Sequence, residues 1–436
     1  MKILDDMPSL VRFYLWTAVG LFSCSSVQAS PWIEANDPYL RSDLQLLADS
    51  GLLLVPLNAF PVRWSLLADQ FAKLDPSAMT PAQLQAYRSV QYRLDSERLG
   101  RGRTHLTLSG ASDADAGLQG FGGKPRTEYG VTASHEEVAD RWAGRLSTGY
   151  HQAEESDDHW HGEGSYLAWG GRDVAISAGW LERWWGPGWQ QALAWGQEAK
   201  PLPGVSASYQ HPHAGLLGSL WVETLLAKQD SPVDADQLWA TRLVTRPTNW
   251  LQLGTSYKQW FGGSDAADPA LADKSNGMWT LDGRLSMPLS ASATGAVYSE
   301  YATDRQTDVS YRLLGGELRW QIGREVIQGI IEQQQGDDDR EQQQSLWLHK
   351  DQPMTDAIQG RRLTTGGYVQ LHNDHAFALF WQHDALLNQE SNDTWRGEYQ
   401  LPAFAGRLKS QIAYREQPAQ DQDKVFGGLV YEYRFH

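Results

Sequence analysis

The amino-acid sequence predicts an all-β transmembrane protein: an antiparallel outer-membrane β-barrel of about 18 strands, preceded by a small periplasmic α-helical segment. Three observations predict this class. The chain ends on a strand with one apolar and one polar face, the same alternation repeats over most of the sequence, and the composition is that of a barrel rather than of a helical membrane protein.

The C-terminal residues 425–436 carry the clearest alternation. Odd positions from Val425 to Phe435 are apolar, aromatic or glycine, whereas Glu432, Arg434 and His436 lie between them. Successive side chains of a strand point to opposite faces, so one face suits lipid and the other suits water. An aromatic residue next to the last position is typical of the C-terminal strand of a bacterial outer-membrane barrel.

The composition agrees with a barrel. A mean hydropathy of -0.50 would exclude a helical membrane protein, which needs about 20 consecutive apolar residues for each span. In a barrel every second residue faces the lumen and is polar, which lowers the average. The 20 Trp and 17 Tyr fit aromatic girdles, although sugar-binding proteins are rich in both. The net charge of -16 argues against a nucleic-acid partner.

Residues 1–29 are predicted to be a signal peptide. Arg12 precedes an apolar run over residues 13–22, and Val27-Gln28-Ala29 offers a small-residue cleavage site before Ser30. Translation from Met1 and from Met7 both fit. The only cysteine, Cys24, lies in this segment, and a cysteine-free mature chain suits the oxidising periplasm.

Residues 30–100 are predicted to form a periplasmic helical segment. Asp37-Pro38 is an N-cap followed by a proline at the first helical position, and leucines at helical spacing continue to Gly51. Two more helices are predicted over residues 61–74 and 80–99. A folding-assist or plug segment and a partner-docking segment are equally supported.

Residues 101–436 are predicted to form the barrel. Alternation of period two recurs in runs such as 142–146, 174–180 and 279–285. A count of every candidate strand gives nineteen, and an odd number does not suit a single-chain bacterial barrel. Omitting the weak candidate at 345–348 leaves one outer loop over about 335–362 and eighteen strands. Short turns at 247–249, 287–290 and 373–374 are assigned to the periplasm, and the longer segments 112–125, 152–162, 182–203, 261–276 and 385–392 to the exterior.

One predicted outer loop carries the candidate binding site. Three tryptophans surround a Gly-Pro-Gly turn that would present large flat rings for stacking on sugars, with polar neighbours to hydrogen-bond hydroxyls. The alternative is that this loop folds into the lumen and its tryptophans pack a constriction, and the sequence leaves both open. Together with two residues of the outer loop at 152–162, the predicted polysaccharide-binding residues are Glu182, Arg183, Trp184, Trp185, Trp189, Gln190, Trp160 and His161.

Four motifs stand out along the chain: Ser30-Pro31-Trp32-Ile33, Leu40-Arg41-x-Asp43 through Leu47-Ala48-Asp49-x-Gly51, Trp184-Trp185-Gly186-Pro187-Gly188 and Ala199-x-Pro201-x-Pro203. In these motifs the chain resembles the Wzi family of capsule-assembly proteins. The resemblance implies an eighteen-stranded outer-membrane barrel with a periplasmic helical bundle that binds exopolysaccharide and anchors capsule. Glu198 stands where the family usually has Asn, which bears on the polymer recognised.

Other candidate chemistry is weak. Residues 157–163 contain metal-ligand types without a recognisable spacing, and Asp337-Asp338-Asp339 fits a solvated loop as well as a divalent-ion site. The sequence has no Gly-x-Ser-x-Gly elbow and no convincing Ser/His/Asp set. We therefore expect no catalytic residue, no metal and no cofactor.

The predicted function is that of a non-enzymatic, monomeric protein that attaches capsule or exopolysaccharide to the cell surface. The expected partners are capsular or extracellular polysaccharide, outer-membrane lipid and lipopolysaccharide, and polysaccharide-export machinery. The leading alternative is a porin-like oligosaccharide channel, because eighteen strands can enclose a water-filled lumen. An enzyme that modifies surface glycans or lipids is the third.

Overall fold

The structure is a computed structural model. It describes residues 32–100, 103–112, 120–123, 128–139, 141–152, 160–171, 173–196, 199, 201–228, 237–261, 277–304, 309–336, 358, 360–386, 391–416 and 423–435. The predicted signal peptide, the aspartates at 337–339, the strand candidate at 345–348, and Glu198 lie outside the described residues.

Three helices precede the barrel, close to the predicted bounds. Helix α1 (Pro38–Asp49) begins at Asp37, whose carboxylate accepts the backbone N–H groups of Tyr39 and Leu40. Helix α2 is Trp64–Phe71, and α3 (Pro81–Arg98) starts with a capping box between Thr80 and Gln83. Their facing leucines, valines and alanines form one core together with neighbouring aromatic residues. None of these described helices is both long and apolar enough to cross a membrane.

The remaining elements are strands. Short strands β1 (Trp32–Ile33) and β3 (Val62–Arg63) pair with each other, and β2 (Ala59–Phe60) pairs with β10 (Trp184–Trp185). The barrel wall consists of β4 (Thr104–Ala111), β5 (Tyr129–Val138), β6 (Trp142–Gln152), β7 (Trp160–His161), β8 (Tyr166–Gly170), β9 (Val174–Trp180), β11 (Pro203–His211), β12 (Ser219–Lys228), β13 (Gln237–Thr248), β14 (Leu251–Phe261), β15 (Gly277–Ser290), β16 (Ala293–Asp304), β17 (Ser310–Ile322), β18 (Glu325–Gly336), β19 (Gly360–Gln370), β20 (Ala376–Leu386), β21 (Asn392–Ala403), β22 (Gly406–Glu416) and β23 (Lys424–Phe435).

The sheet closes into an antiparallel barrel. The C-terminal strand β23 pairs with β4, with Phe435 opposite Thr104. Strands β7 and β8 both pair with β6, at successive positions along it, and therefore count as one interrupted strand. The wall then has eighteen strands, and the predicted antiparallel barrel of about 18 strands is confirmed.

Alternation separates a lipid-facing surface from a lumen-facing one. Outward side chains such as Leu281 and Leu314 are about 60% exposed, whereas inward polar side chains such as Arg242, Glu300 and Glu332 are buried. Closure leaves no unpaired sheet edge, as a membrane-spanning sheet requires. Many of the inward polar groups are buried because the lumen is filled by other parts of the same chain.

Short turns gather at one end of the barrel, among them those at 249–250, 323–324, 373–374 and 404–405. The helical segment (residues 32–98) occupies the lumen from this end. Asp49 pairs with Arg246 and Arg284, and Gln85 donates to the carbonyl of Arg324 in the β17–β18 turn. The connections at the opposite end are generally longer.

Candidate functional site

The connection between β9 and β11 folds inward. Its first sixteen residues, 181–196, are called the tryptophan loop, and within it Trp184 and Trp185 pair with Phe60 and Ala59 of the helical segment. The side chains of Trp184, Trp185 and Trp189 are 0%, 0% and 1% exposed. Of the two arrangements that the sequence leaves open, packing inside the lumen therefore describes the structure.

Two carboxylates of the barrel wall explain why the loop turns inward. Glu300 on β16 accepts the backbone N–H groups of Leu193 and Ala194 at 2.9 and 2.7 Å. Glu332 on β18 accepts those of Trp189 and Gln190. Four backbone N–H groups of the loop therefore have acceptors on the wall, so two buried wall residues fix the loop backbone.

The glycines of the Trp-Trp-Gly-Pro-Gly motif are needed for close approach. Gly186 has φ 153°, and a Cβ there would lie 2.8 Å from the Glu300 carboxylate. A Cβ on Gly188 would lie 2.0 Å from the carbonyl oxygen of Gln191, which is inside contact distance. A larger residue at Gly186 would push the loop away from the wall, and one at Gly188 would clash with the loop's own backbone.

Arg41 of α1 links the helical segment to the tryptophan loop. Its guanidinium donates to the carbonyl oxygens of Gly188 and Pro187 at 2.8 and 2.9 Å. It also lies 4.2 Å from the ring centre of Trp189 and 4.5 Å from that of Phe121. Burial lowers the pKa of Arg41 to about 10, so the side chain stays charged at neutral pH.

Two aspartates of α1 fasten the helix to the wall. Asp43 pairs with Arg319 at 2.8 Å, and Asp49 pairs with Arg284 at 2.8 Å. Burial raises the pKa of Asp43, and the nearby Arg319 opposes that rise. The charged positions of the Leu-Arg-x-Asp pattern therefore contact the barrel rather than solvent.

The polar residues predicted to contact sugar are also largely turned inward. Arg183 is buried and pairs with Glu223 at 2.9 Å, and Gln190 is buried and donates to the Tyr368 hydroxyl at 2.8 Å. Glu182 is half-buried at the start of the tryptophan loop. Arg183 and Gln190 are thus held by the wall, and neither is free to bind hydroxyls in this arrangement.

The two predicted residues from the other loop lie elsewhere. Trp160 on β7 is 64% exposed and points outward beside Tyr150, with the ring centres 5.4 Å apart. His161 faces the lumen beside His151, with the ring centres 4.5 Å apart. The eight predicted residues are therefore divided between the filled lumen, the outer surface near β6 and the lumen-facing side of β7.

One arc of the wall is less filled than the rest. Along β4, β5 and β22, lumen-facing residues such as Thr107, Ser109, Thr132 and Gln411 are only half-buried. Towards the short-turn end this arc narrows to a cavity of about 90 Å³ between the wall and the helical segment. Ten charged residues line it: Arg93, Arg103, Arg145, Arg407, Arg434, Glu34, Asp37, Glu97, Glu136 and Glu432.

Arg41, Glu300 and Glu332 hold the loop in place, a role that the sequence does not predict for any of them. The sequence shows only that charged residues occupy inward positions of β16 and β18 and a position of the α1 motif. It does not show which segment fills the lumen and contacts them. Within the described part of the chain, no three His, Cys, Asp or Glu residues lie close enough together to hold a metal.

The closed antiparallel sheet, its apolar outer face and its filled lumen define an outer-membrane β-barrel protein. The family model for "Capsule assembly protein Wzi" matches residues 97–273. Together with the relatives described next, this match confirms the predicted resemblance to the Wzi family.

The relatives are distant in sequence. An uncharacterized 55.8 kDa protein in the cps region of Klebsiella pneumoniae is 25% identical over 193 residues, which is 43% of this chain and 36% of that protein. The aligned part thus spans about a third of the relative. The solved structure of Wzi, described as an outer membrane protein involved in group 1 capsule assembly in Escherichia coli and a carbohydrate-binding β-barrel, has a TM-score of 0.80 at 17% identity. It covers 93% of this chain and 100% of its own.

A weaker match is OccAB1 of Acinetobacter baumannii, with a TM-score of 0.46 at 9% identity over 76% of this chain and 94% of its own. This similarity is too low to support an inference about function.

Proposed function

We propose that this protein is a non-catalytic outer-membrane lectin that attaches capsular or extracellular polysaccharide to the cell surface. The filled lumen carries the proposal. A wall of eighteen strands is wide enough for a channel, yet the helical segment and the tryptophan loop occupy most of its interior and interlock through Arg41 and β2–β10. The relative described as a carbohydrate-binding barrel supports the same role.

The polymer is proposed to bind at the extracellular face. Trp160 lies opposite Tyr150, two residues before the end of β6, so its exposed ring at the rim of the wall is available for stacking on a sugar. The half-buried threonines, serines and glutamine of the less filled arc offer hydroxyl and amide groups to saccharide hydroxyls. The buried tryptophans Trp184, Trp185 and Trp189 then act indirectly, by bracing the loop that closes the lumen. The end of the barrel from which the helical segment enters the lumen is proposed to face the periplasm, where export machinery would contact the exposed part of the helices.

The test is the distribution of polymer. Deletion of the gene should leave polymer synthesis intact and move polymer from the cell surface into the medium, because the proposed role is retention. Complementation with Trp160→Ala should restore retention only partly. Trp250→Ala is the matched control, since Trp250 is a 51% exposed tryptophan at the opposite end of the barrel.

Unchanged surface polymer in the deletion strain would contradict the proposed role. Full retention with Trp160→Ala would show that this ring does not bind polymer. The half-buried arc would then be the candidate binding surface.

The charged cavity beside the helical segment is the observation that favours the alternative function, a channel. A continuous path along the less filled arc would conduct small ions past Arg145 and Arg434. Single-channel recording in planar bilayers distinguishes the two functions. We expect no steady pore of oligosaccharide size, and a stable open state would favour the channel.

A further inference from the structure

We propose that Arg312 and Arg361 form a binding site for the phosphate groups of lipid A on the outer surface of the barrel. The site lies on the lipid-facing side of the wall, away from the lumen. It is independent of the polysaccharide-binding role, so either proposal can fail without the other.

The register places the two arginines in one outward row. Arg312 on β17 is opposite Gln335 on β18, and Gln335 is opposite Arg361 on β19. All three side chains are exposed, and each lies within three residues of the end of its strand that is opposite the short turns. Two strand spacings separate the arginines, which is about 10 Å between their backbones.

These charges are unusual for their surface. Among the outward-facing residues of the described strands, the only other Arg or Lys is Lys228 on β12. The neighbours that flank the row are Tyr301 on β16 and Ala385 on β20, neither of which is acidic. No ion pair joins Arg312 or Arg361 to another described residue. Two guanidinium groups without an acidic partner among the described residues, at a membrane boundary, are placed to meet an anionic lipid head group.

The wall below the row suits acyl chains. Leu314 and Leu363 lie one outward position nearer the middle of the membrane, on either side of Gln333. Nearer the middle of the membrane, the outward surface has a shallow depression between larger apolar residues, formed by Gly316, Gly329 and Gly367. A Cβ on Gly329 would meet no atom within 4 Å, so this part of the wall is open to lipid.

Phosphate is the group that this arrangement recognises. Guanidinium forks bind phosphate oxygens through paired charge-assisted hydrogen bonds, and the Gln335 amide between them can donate another. The orientation predicted from loop length places this end of the strands in the outer leaflet, which in a bacterial outer membrane holds lipopolysaccharide. Lipid A supplies both the phosphates for the arginines and the acyl chains for the surface below.

The test compares two double variants of the full-length protein purified in detergent. Arg312→Gln/Arg361→Gln should retain about tenfold less lipopolysaccharide per barrel than the wild type, because both charged contacts are lost. Arg88→Gln/Arg324→Gln removes the same charge from exposed residues of α3 and of the β17–β18 turn at the other end, and should retain the wild-type amount. A heat-dependent gel shift confirms that each variant has folded.

A second arm needs no substitution. Adding phosphorylated lipid A should raise the temperature at which the wild-type barrel unfolds, and phosphatase-treated lipid A should raise it much less. Equal retention by the two double variants, or an equal response to both forms of lipid A, would overturn the proposal. An equal response to phosphatidylglycerol would also overturn it, since the site would then bind phospholipid in general.

Discussion

Arg41 shows how one residue joins two distant parts of the sequence. It is 1% exposed, yet its charge is satisfied by two loop carbonyls and by the faces of Trp189 and Phe121. A buried cation is tolerated only when it is paired or hydrogen-bonded in this way. The closure of the lumen therefore depends on Arg41, which belongs to the Leu-Arg-x-Asp motif of α1.

Replacing Arg41 with Met should loosen the tryptophan loop. The two carbonyl oxygens that accept from Arg41 would lose their donors, at a cost of about 3 kcal/mol in the stability of the closed arrangement. Hydrogen exchange of the loop amides should then be faster by roughly a hundredfold. Arg88→Met, on the exposed face of α3, is the control and should leave the exchange rate unchanged.

If Arg41→Met exchanged at the wild-type rate, the guanidinium would not be what holds the loop.

Glu97 should make the docking of α3 depend on pH. Burial raises the pKa of Glu97 to about 7, which Arg434 at 3.8 Å partly offsets, whereas its ordinary value is 4.5. The docked state therefore holds a proton that the undocked state releases between these values. Docking should be strongest below pH 4.5 and weaken as the pH rises to about 7.

Protease cleavage of the helical segment across this pH range measures the effect. Glu97→Gln should remove most of the slope, because an amide does not titrate. A slope of the same size in the variant would assign the pH dependence to other groups.

At the scale of elements, the tryptophan loop and the helical segment behave as one unit. The β2–β10 pairing, the Arg41 contacts and the ion pairs of Asp43 and Asp49 connect them to each other and to the wall. Neither element fills the lumen alone. The loop supplies the large rings and the helices supply the apolar core beneath them.

Gly188→Ala should displace the loop. The added Cβ would overlap the Gln191 carbonyl oxygen, which is backbone and cannot move aside without the rest of the loop. A cysteine placed at Ala194 should then react faster with a water-soluble thiol reagent. Gly171→Ala is the matched control, because a Cβ there meets no atom within 4 Å. Equal labelling in the two variants would show that the loop absorbs the change.

The sequence predicts these elements well and their packing poorly. Alternation predicts the strands because lipid on one side and polar groups on the other impose a period of two. The direction of the loop depends instead on Glu300 and Glu332, whose partners are the loop's own backbone N–H groups. Such long-range pairs leave no local pattern, so the sequence left open whether Trp184 and Trp185 face sugar or the lumen.

At the scale of the whole molecule, the helical segment and the short turns lie at the same end of the barrel. Because successive strands cross the membrane in opposite directions, successive connections lie on alternate sides of it. The orientation assigned from loop length therefore predicts the exposure of every tag position along the chain.

Epitope tags at Asn249 or Asn373 should be hidden from antibodies on intact cells, and tags near Ser264 or Asp338 should be accessible. The first pair lies in short turns of the structure, and the second pair lies outside its described residues. Permeabilised cells serve as the control for expression. Labelling at Asn249 on intact cells would reverse the orientation.

The central claim is that a barrel wide enough for a channel serves as a polysaccharide-binding surface. Binding of polysaccharide from the protein's own host to the purified, folded barrel tests it most directly, with the heat-unfolded protein as the control. The account predicts saturable binding by the folded protein alone, weakened by Trp160→Ala and unaffected by Trp250→Ala. Absence of binding by a folded barrel that also forms a steady open pore would contradict it.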